Sequence, residues 1–171
     1  MYYLVIKATS NAKKYEPFGT YSREGNMRAY IAGPLFCKAE REYNLQLKER
    51  LSEFSVEAVL PQDCDMLFDA SQMDDRTYAE ETAEKVFRRD LALLESCDVL
   101  IINLDGRVPD EGACVELGYA YAKGIPVYGI KTDVRVSEYG IDNMMVAGIL
   151  RGRTARDVAA LADMLRADGL L

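Results

Sequence analysis

Residues 99–130 decide the fold, and they read VLIINLDGRVPDEGACVELGYAYAKGIPVYGI. The apolar run Val99–Asn103 is typical of a strand that is covered on both faces. A polar loop then leads into a helix-like segment at about residues 112–123, which Gly124 is expected to end as a left-handed C-terminal cap. A second apolar run, Val127–Ile130, follows. Strand, helix and strand in this order predict a βαβ unit with parallel strands.

The same alternation extends in both directions from this unit. Residues 29–32 and 56–60 are further short apolar runs, and helix-like periodicity lies between them, at about 78–95, and from Thr154 onward. We expect an α/β fold with a doubly wound, flavodoxin-like or Rossmann-like parallel sheet, flanked by helices, with its site at the carboxyl ends of the strands. The residues expected to face the core are Phe36, Ala39, Tyr43, Leu47, Leu51 and Phe54 in the first helix, Ala83, Phe87, Leu91 and Leu94 in the second, and Val158, Leu161 and Leu165 in the last.

The first 28 residues differ from the rest of the chain. A strand-like run at residues 2–7 leads into a stretch rich in Lys, Ser, Asn and Gly. We therefore expect a short strand and loop extension at 1–28 and one domain at 29–171. A chain of 171 residues buries roughly 70% of its unfolded surface, so a core can form without disulfides or a metal.

The composition excludes several classes of function. The net charge of −7 disfavours nucleic acid and membrane surfaces as partners, since both are negatively charged. No apolar run is long enough to span a membrane, the N-terminal segment lacks the apolar core of a signal peptide, and the four cysteines are scattered. We expect a cytoplasmic protein with reduced thiols and a small-molecule partner.

The chain contains no histidine, which removes Ser-His-Asp and Cys-His nucleophile pairs and the helical zinc-protease motif. It also lacks the Gly-x-Gly-x-x-Gly fingerprint and the P-loop, which disfavours NAD, FAD and ATP as obligatory ligands. We expect no cofactor and no metal. Any catalysis must come from carboxylates, Tyr, Lys or Cys.

Two carboxylates fall on the apolar faces of their predicted helices. Asp90 follows Phe87 by three residues and precedes Leu94 by four, and Glu116 lies on the small-residue face of the third helix. Each is also compatible with a charge at a helix boundary or on a partly wet flank. Glu116 comes soon after a strand's carboxyl end, where the helix dipole favours an ionised carboxylate. Such a group in a crevice is a nucleophile or a general base.

Three motifs resemble the nucleoside 2-deoxyribosyltransferase family over about residues 29–150. They are YIAGPLF at 30–36, Asp90-Leu91 ahead of Cys97-Asp98-Val99, and PDEGACVELGYA at 109–120. The resemblance implies that Glu116 is the nucleophile that attacks the anomeric carbon of 2-deoxyribose and that Tyr30 hydrogen-bonds to it. It also implies that Asp90 and Asp110 hold the sugar and assist proton transfer.

The resemblance further implies a shared site, in which the Asn of an Asn-x-Met element, Asn143 to Met145, comes from a neighbouring subunit. Tyr30 also fits a purely structural strand tyrosine, and Asn143 and Met145 fit a helix cap and a core residue. Gln62 and Asp63 are candidates for base recognition. The residues that we expect to bind substrate are Gly33, Phe36, Gln62, Asp63, Gly112, Asn143 and Met145.

Three functions remain open. The first is a transferase that exchanges the purine or pyrimidine base of a deoxyribonucleoside through a covalent deoxyribosyl-Glu116 intermediate, in a homodimer or higher homo-oligomer. The second is an N-glycosidase that hydrolyses deoxynucleoside 5′-monophosphates. Asp110 disfavours it, because a carboxylate near the 5′ position repels a phosphate. The third is a nucleotide-sensing domain without turnover.

Overall fold

The computed structural model describes residues 25–64, 68–135 and 143–171. Its sheet has five parallel strands in the order β2-β1-β3-β4-β5. This is the doubly wound order of flavodoxin-like folds, and the predicted fold class is confirmed. The strands are β1 (Met27–Ala32), β2 (Val56–Val59), β3 (Val99–Asn103), β4 (Val127–Ile130) and β5 (Thr154–Ala155).

Five α-helices connect and cover these strands. Four of them begin at an Asp or Asn whose side chain accepts a hydrogen bond from the first turn, which satisfies backbone N–H groups that the helix leaves unpaired. Gly124 ends the third helix with a φ of 74°, as predicted. The helices are α1 (Lys38–Ser52), α2 (Arg76–Glu95), α3 (Glu111–Lys123), α4 (Met144–Leu150) and α5 (Val158–Ala167).

The sheet separates two apolar layers. Alternate strand residues face α1 and α5 on one side, and α2, α3 and α4 on the other, so every residue of β3 and β4 is buried. In β1, Ile31 faces the first layer and Tyr30 the second. This alternation places Tyr30 beneath α3. It therefore determines which helices can reach the Tyr30 hydroxyl group.

The predicted start of the last helix at Thr154 is wrong. Thr154 and Ala155 form β5, which pairs with β4. The helix α5 begins at Val158, and its N-cap is Asp157, whose carboxylate accepts a hydrogen bond from the Ala160 N–H at 2.8 Å. A two-residue strand has no measurable periodicity. Only its pairing with Gly129 and Ile130 defines it.

Two predicted core aromatics, Phe36 and Phe87, are also placed differently. Phe36 precedes α1 and is 77% exposed, while Phe87 lies on α2 and is 53% exposed. Ala39 and Ala83 are exposed as well. The predicted helical periodicity is right, but a residue on a helix is buried only where another element packs against it. In α2 the buried residues are Thr82 and Leu94.

The predicted strand at residues 2–7 lies outside the described residues. Within the three described ranges, no helix combines the length and apolar character needed to cross a lipid bilayer.

Candidate active site

A hydrogen bond joins β1 to α3 at the centre of the candidate site. The Tyr30 hydroxyl donates to Oε1 of Glu116 at 2.5 Å, across 86 positions of sequence. Tyr30 is fully buried, and its burial together with the charge of Glu116 raises the pKa of the phenol. The hydroxyl therefore stays protonated and fixes one oxygen of the Glu116 carboxylate.

Glu116 itself is unusually basic for a carboxylate. Burial raises the pKa of Glu116 to about 7, the charges of Asp90 and Asp110 act in the same direction, and the hydrogen bond from Tyr30 opposes them. From the position of Glu116 near the start of α3, we expected the helix dipole to favour the ionised form. That effect fades beyond the first turn, and here burial and two like charges outweigh it.

Asp110 combines two functions at the start of α3. Its Oδ1 accepts a hydrogen bond from the Ala113 N–H at 2.8 Å, which caps the helix. A Cβ added at Gly112 would lie 3.2 Å from this same oxygen, so a glycine leaves room for the cap. Asp110 is also near enough to Glu116 for its charge to affect the pKa of Glu116.

The loop that carries Asp110 is anchored to the segment after β4. Oδ1 of Asp105 accepts hydrogen bonds from the N–H groups of Thr132 at 2.6 Å and Asp133 at 2.9 Å. Oδ2 of Asp133 accepts one from the Gly106 N–H at 2.8 Å, the main cause that lowers the pKa of Asp133 to about 2. These contacts fix the start of the loop that leads to Asp110.

The candidate residues for base recognition engage α1 instead of the carboxylates. Oε1 of Gln62 accepts from the Asn44 amide at 3.0 Å, and Nε2 of Gln62 donates to the Arg41 carbonyl at 3.1 Å. Asp63 forms an ion pair with Lys48. The structure therefore groups Tyr30, Asp90, Asp110 and Glu116, while Gln62 and Asp63 make their polar contacts elsewhere.

Gly33 follows β1 at the carboxyl edge of the sheet, directly beside β3. A Cβ at this position would approach the Cβ of Asn103 to 3.0 Å, so a larger residue here would require Asn103 to shift. Phe36, three residues later, projects into solvent.

Asn143 is the N-terminal cap of α4, because its Oδ1 accepts hydrogen bonds from the N–H groups of Met145 and Val146 at 3.0 and 3.3 Å. Met145 is exposed, so the alternative that it belongs to the core is wrong. The described contacts of Asn143 run to α4 and not to the carboxylate group.

Arg89 is a polar neighbour of the site that the sequence analysis missed. Its Nε and Nη2 contact Oδ1 of Asp90 at 2.9 and 2.7 Å. Consecutive helical residues do not normally face each other, so periodicity offered no signal for this pair. Among the residues described, no cluster of three or more Cys, Asp and Glu side chains is arranged to hold a metal ion.

The arrangement suits chemistry at a centre that becomes positively charged. A partly buried carboxylate with a pKa near neutrality is a stronger nucleophile than a fully exposed one, and two further carboxylates stabilise positive charge beside it. A hydroxyl donor holds the Glu116 carboxylate in one orientation.

Comparisons with known proteins identify the family of this chain. A family model described as "Nucleoside 2-deoxyribosyltransferase" matches residues 29–149. An uncharacterised protein of Schizosaccharomyces pombe is 34% identical over 113 residues, which cover 63% of this chain and 51% of that protein. The chain thus spans about half the length of the curated relative that it matches.

Two solved structures share the architecture. A conserved protein from Enterococcus faecalis superposes with a TM-score of 0.67 at 26% identity, covering 84% of this chain and 99% of the other. A 2-deoxyribosyltransferase from Bacillus psychrosaccharolyticus superposes with a TM-score of 0.62 at 19% identity, covering 80% and 90%. The second similarity shows the fold. The family match extends from β1 through α4 and includes Tyr30, Asp90, Asp110 and Glu116, so the chain belongs to the nucleoside 2-deoxyribosyltransferase family.

Proposed function

We propose that this protein exchanges the base of 2-deoxyribonucleosides through a covalent deoxyribosyl ester on Glu116. The observation that carries the proposal is the partly buried Glu116 carboxylate, held by Tyr30 at 2.5 Å and within electrostatic range of Asp90 and Asp110. We assign this chemistry to residues 29–171 and treat residues 1–28 as an extension.

The first half-reaction forms the ester. An oxygen of ionised Glu116 attacks the anomeric carbon, and the N-glycosidic bond breaks with its electron pair passing to the base nitrogen. The departing base takes up a proton, and Asp90 and Asp110 hold the sugar hydroxyls and assist this proton transfer. Positive charge develops on the sugar, so the surrounding carboxylates stabilise the transition state.

The second half-reaction reverses these steps with a different base. A nitrogen of the incoming base attacks the anomeric carbon, the ester C–O bond breaks, and Glu116 is released as a carboxylate. The incoming base loses its proton. No metal or cofactor enters this scheme, and its substrates are a deoxyribonucleoside and a free purine or pyrimidine base.

The position of Asp110 favours nucleosides over nucleoside monophosphates. A helix N-terminus attracts phosphate groups, but here the carboxylate of Asp110 already accepts the hydrogen bond from the first turn of α3. A 5′-phosphate near this position would meet a negative charge instead of free N–H donors.

A covalent adduct tests the nucleophile. A 2-fluoro-2-deoxy nucleoside slows both half-reactions, because fluorine destabilises the cationic transition state, and the ester should accumulate. Intact-protein mass spectrometry should show one added sugar, and peptide mapping should place it on Glu116. Glu116→Gln should show no adduct. An adduct on another residue would contradict the assignment.

The reaction type is tested by incubating the protein with thymidine and adenine. Chromatography should show deoxyadenosine and thymine. Free sugar phosphate from a deoxynucleoside monophosphate, without any exchange product, would instead identify a hydrolase. No turnover of either substrate would favour a sensing domain.

A further inference from the structure

The side chain of Arg89 lies beside the acidic site. The Arg89 and Asp90 side chains are 26% and 19% exposed, and the guanidinium contacts Oδ1 of the carboxylate through both Nε and Nη2. Both contacts are made to the same carboxylate oxygen. The pair therefore fixes the direction of the carboxylate.

The adjacent Arg88 shows what an ordinary ion pair on the same helix looks like. It contacts Glu84 one turn away at 2.5 Å, with side chains that are 77% and 61% exposed. Ion pairs in such exposed positions contribute little, since water screens them. The Arg89 and Asp90 side chains are mostly shielded from water and lie against the site. Water therefore screens their charges less, and each charge affects neighbouring groups more strongly.

The groups around Glu116 come from three elements of the chain. Tyr30 projects from β1, Asp90 from α2, and Asp110 from the start of α3. Burial raises the pKa of Tyr30, and the positive charge of Arg89 acts against this rise, which places the guanidinium within electrostatic range of the Tyr30 hydroxyl that holds Glu116.

We propose that Arg89 is a positioning residue that orients Asp90 toward the sugar and offsets its charge beside Glu116. This inference rests on the proposed function and adds to it a residue that is not among the predicted site residues. Arg89 acts through Asp90 and does not itself contact the reacting atoms.

The first test measures base exchange as a function of pH. The kcat/KM of the wild type should rise with pH through a value near 7, as Glu116 ionises. Arg89→Gln should lower kcat/KM by roughly tenfold to a hundredfold because Asp90 loses its orientation. It should also move the acid limb upward by roughly half a pH unit or more, since the charge of Asp90 is no longer offset. Arg89→Lys should restore part of the lost kcat/KM and part of the shift of the acid limb.

Arg88→Gln is the matched control, because it removes the same side chain one position earlier. It should leave the pH profile and kcat/KM unchanged. Urea unfolding of all variants checks that each is folded under the assay conditions.

A double-mutant cycle tests whether Arg89 acts through Asp90. In an Asp90→Asn background, Arg89→Gln should lower kcat/KM by no more than about twofold. If Arg89→Gln lowers kcat/KM by the same factor in the Asp90→Asn background as in wild type, the inference is overturned. Arg89 would then act by a route other than Asp90.

A titration without turnover separates this inference from the proposed function. Carboxyl ¹³C NMR of the free protein should show a higher pKa for Glu116 in Arg89→Gln than in wild type and Arg88→Gln. This shift in a protein that exchanges no bases would support the role of Arg89 and refute the proposed function. Active base exchange with an unchanged Glu116 pKa and unchanged kcat/KM in Arg89→Gln would overturn the inference.

Discussion

The protonation of Glu116 links the chemistry of the site to the stability of the fold. A pKa of about 7, against 4.5 for an ordinary glutamate, means that folding favours the protonated carboxyl. Its stabilising contribution is fully present below about pH 4.5 and is lost as the pH rises through about 7. The ionised Glu116 that the proposed mechanism requires is therefore maintained at a cost to stability.

We predict that Glu116→Gln stabilises the protein at pH 8 by roughly 1–3 kcal/mol, because the amide is never charged and can still accept from Tyr30. The gain should shrink between pH 7 and pH 5, as wild-type Glu116 becomes protonated. Urea unfolding of both proteins at pH 5 and pH 8 measures the difference. An equal difference in unfolding free energy between the two proteins at both pH values would show that the ionisation of Glu116 does not affect stability.

At the scale of elements, the N-cap of α3, Asp110, affects both the helix and the site. The carboxylate of Asp110 caps the helix, and its charge lies near Glu116. The cap depends on a side-chain oxygen, which Asn also provides, whereas the charge depends on the carboxylate. The two functions can therefore be separated by substitution.

We predict that Asp110→Asn keeps most of the stability and loses activity, while Asp110→Ala loses both. Removing the cap should cost about 1 kcal/mol of unfolding free energy beyond any loss in Asp110→Asn. Base exchange should fall about tenfold or more in both variants. Thermal or urea unfolding and the exchange assay measure the two effects. Equal stability of the two variants would show that the cap contributes nothing.

At the scale of the whole molecule, exposed apolar side chains lie on the helices of the site's face. Phe87 on α2, Val115 on α3, and Met144 and Met145 on α4 are exposed in the single chain. These helices are adjacent, since α3 contacts both α2 and α4. Such a surface is typical of an interface between subunits, and we expect a homodimer or a higher homo-oligomer.

We predict that the oligomer shares its sites, with Asn143 completing the site of a neighbour. Asn143→Ser keeps an oxygen that can cap α4 but lacks the amide, so it should be folded and nearly inactive. When Asn143→Ser and Glu116→Gln chains are refolded together as dimers, half of the pairs are hybrids, each with one intact site. Exchange activity should return to roughly a quarter of wild type.

A matched mixture distinguishes sharing from mere assembly. Glu116→Gln and Asp110→Asn affect the same chain's site, so each site of their hybrid carries a defect and activity should not recover. If the Asn143→Ser mixture forms hybrids and stays inactive as well, Asn143 acts within its own chain or not at all.

The sequence alone determined the doubly wound sheet, because apolar runs, helical periods and the glycine at 124 are local signals. Motif resemblance identified Tyr30, Asp90, Asp110 and Glu116 as candidates, and the tertiary structure decided how they meet. It placed Tyr30 and Glu116, 86 residues apart, in one hydrogen bond, and it left Phe87 exposed. It alone defined β5 and the Arg89–Asp90 pair. Pairing and burial depend on what packs opposite a residue, and local sequence does not encode that.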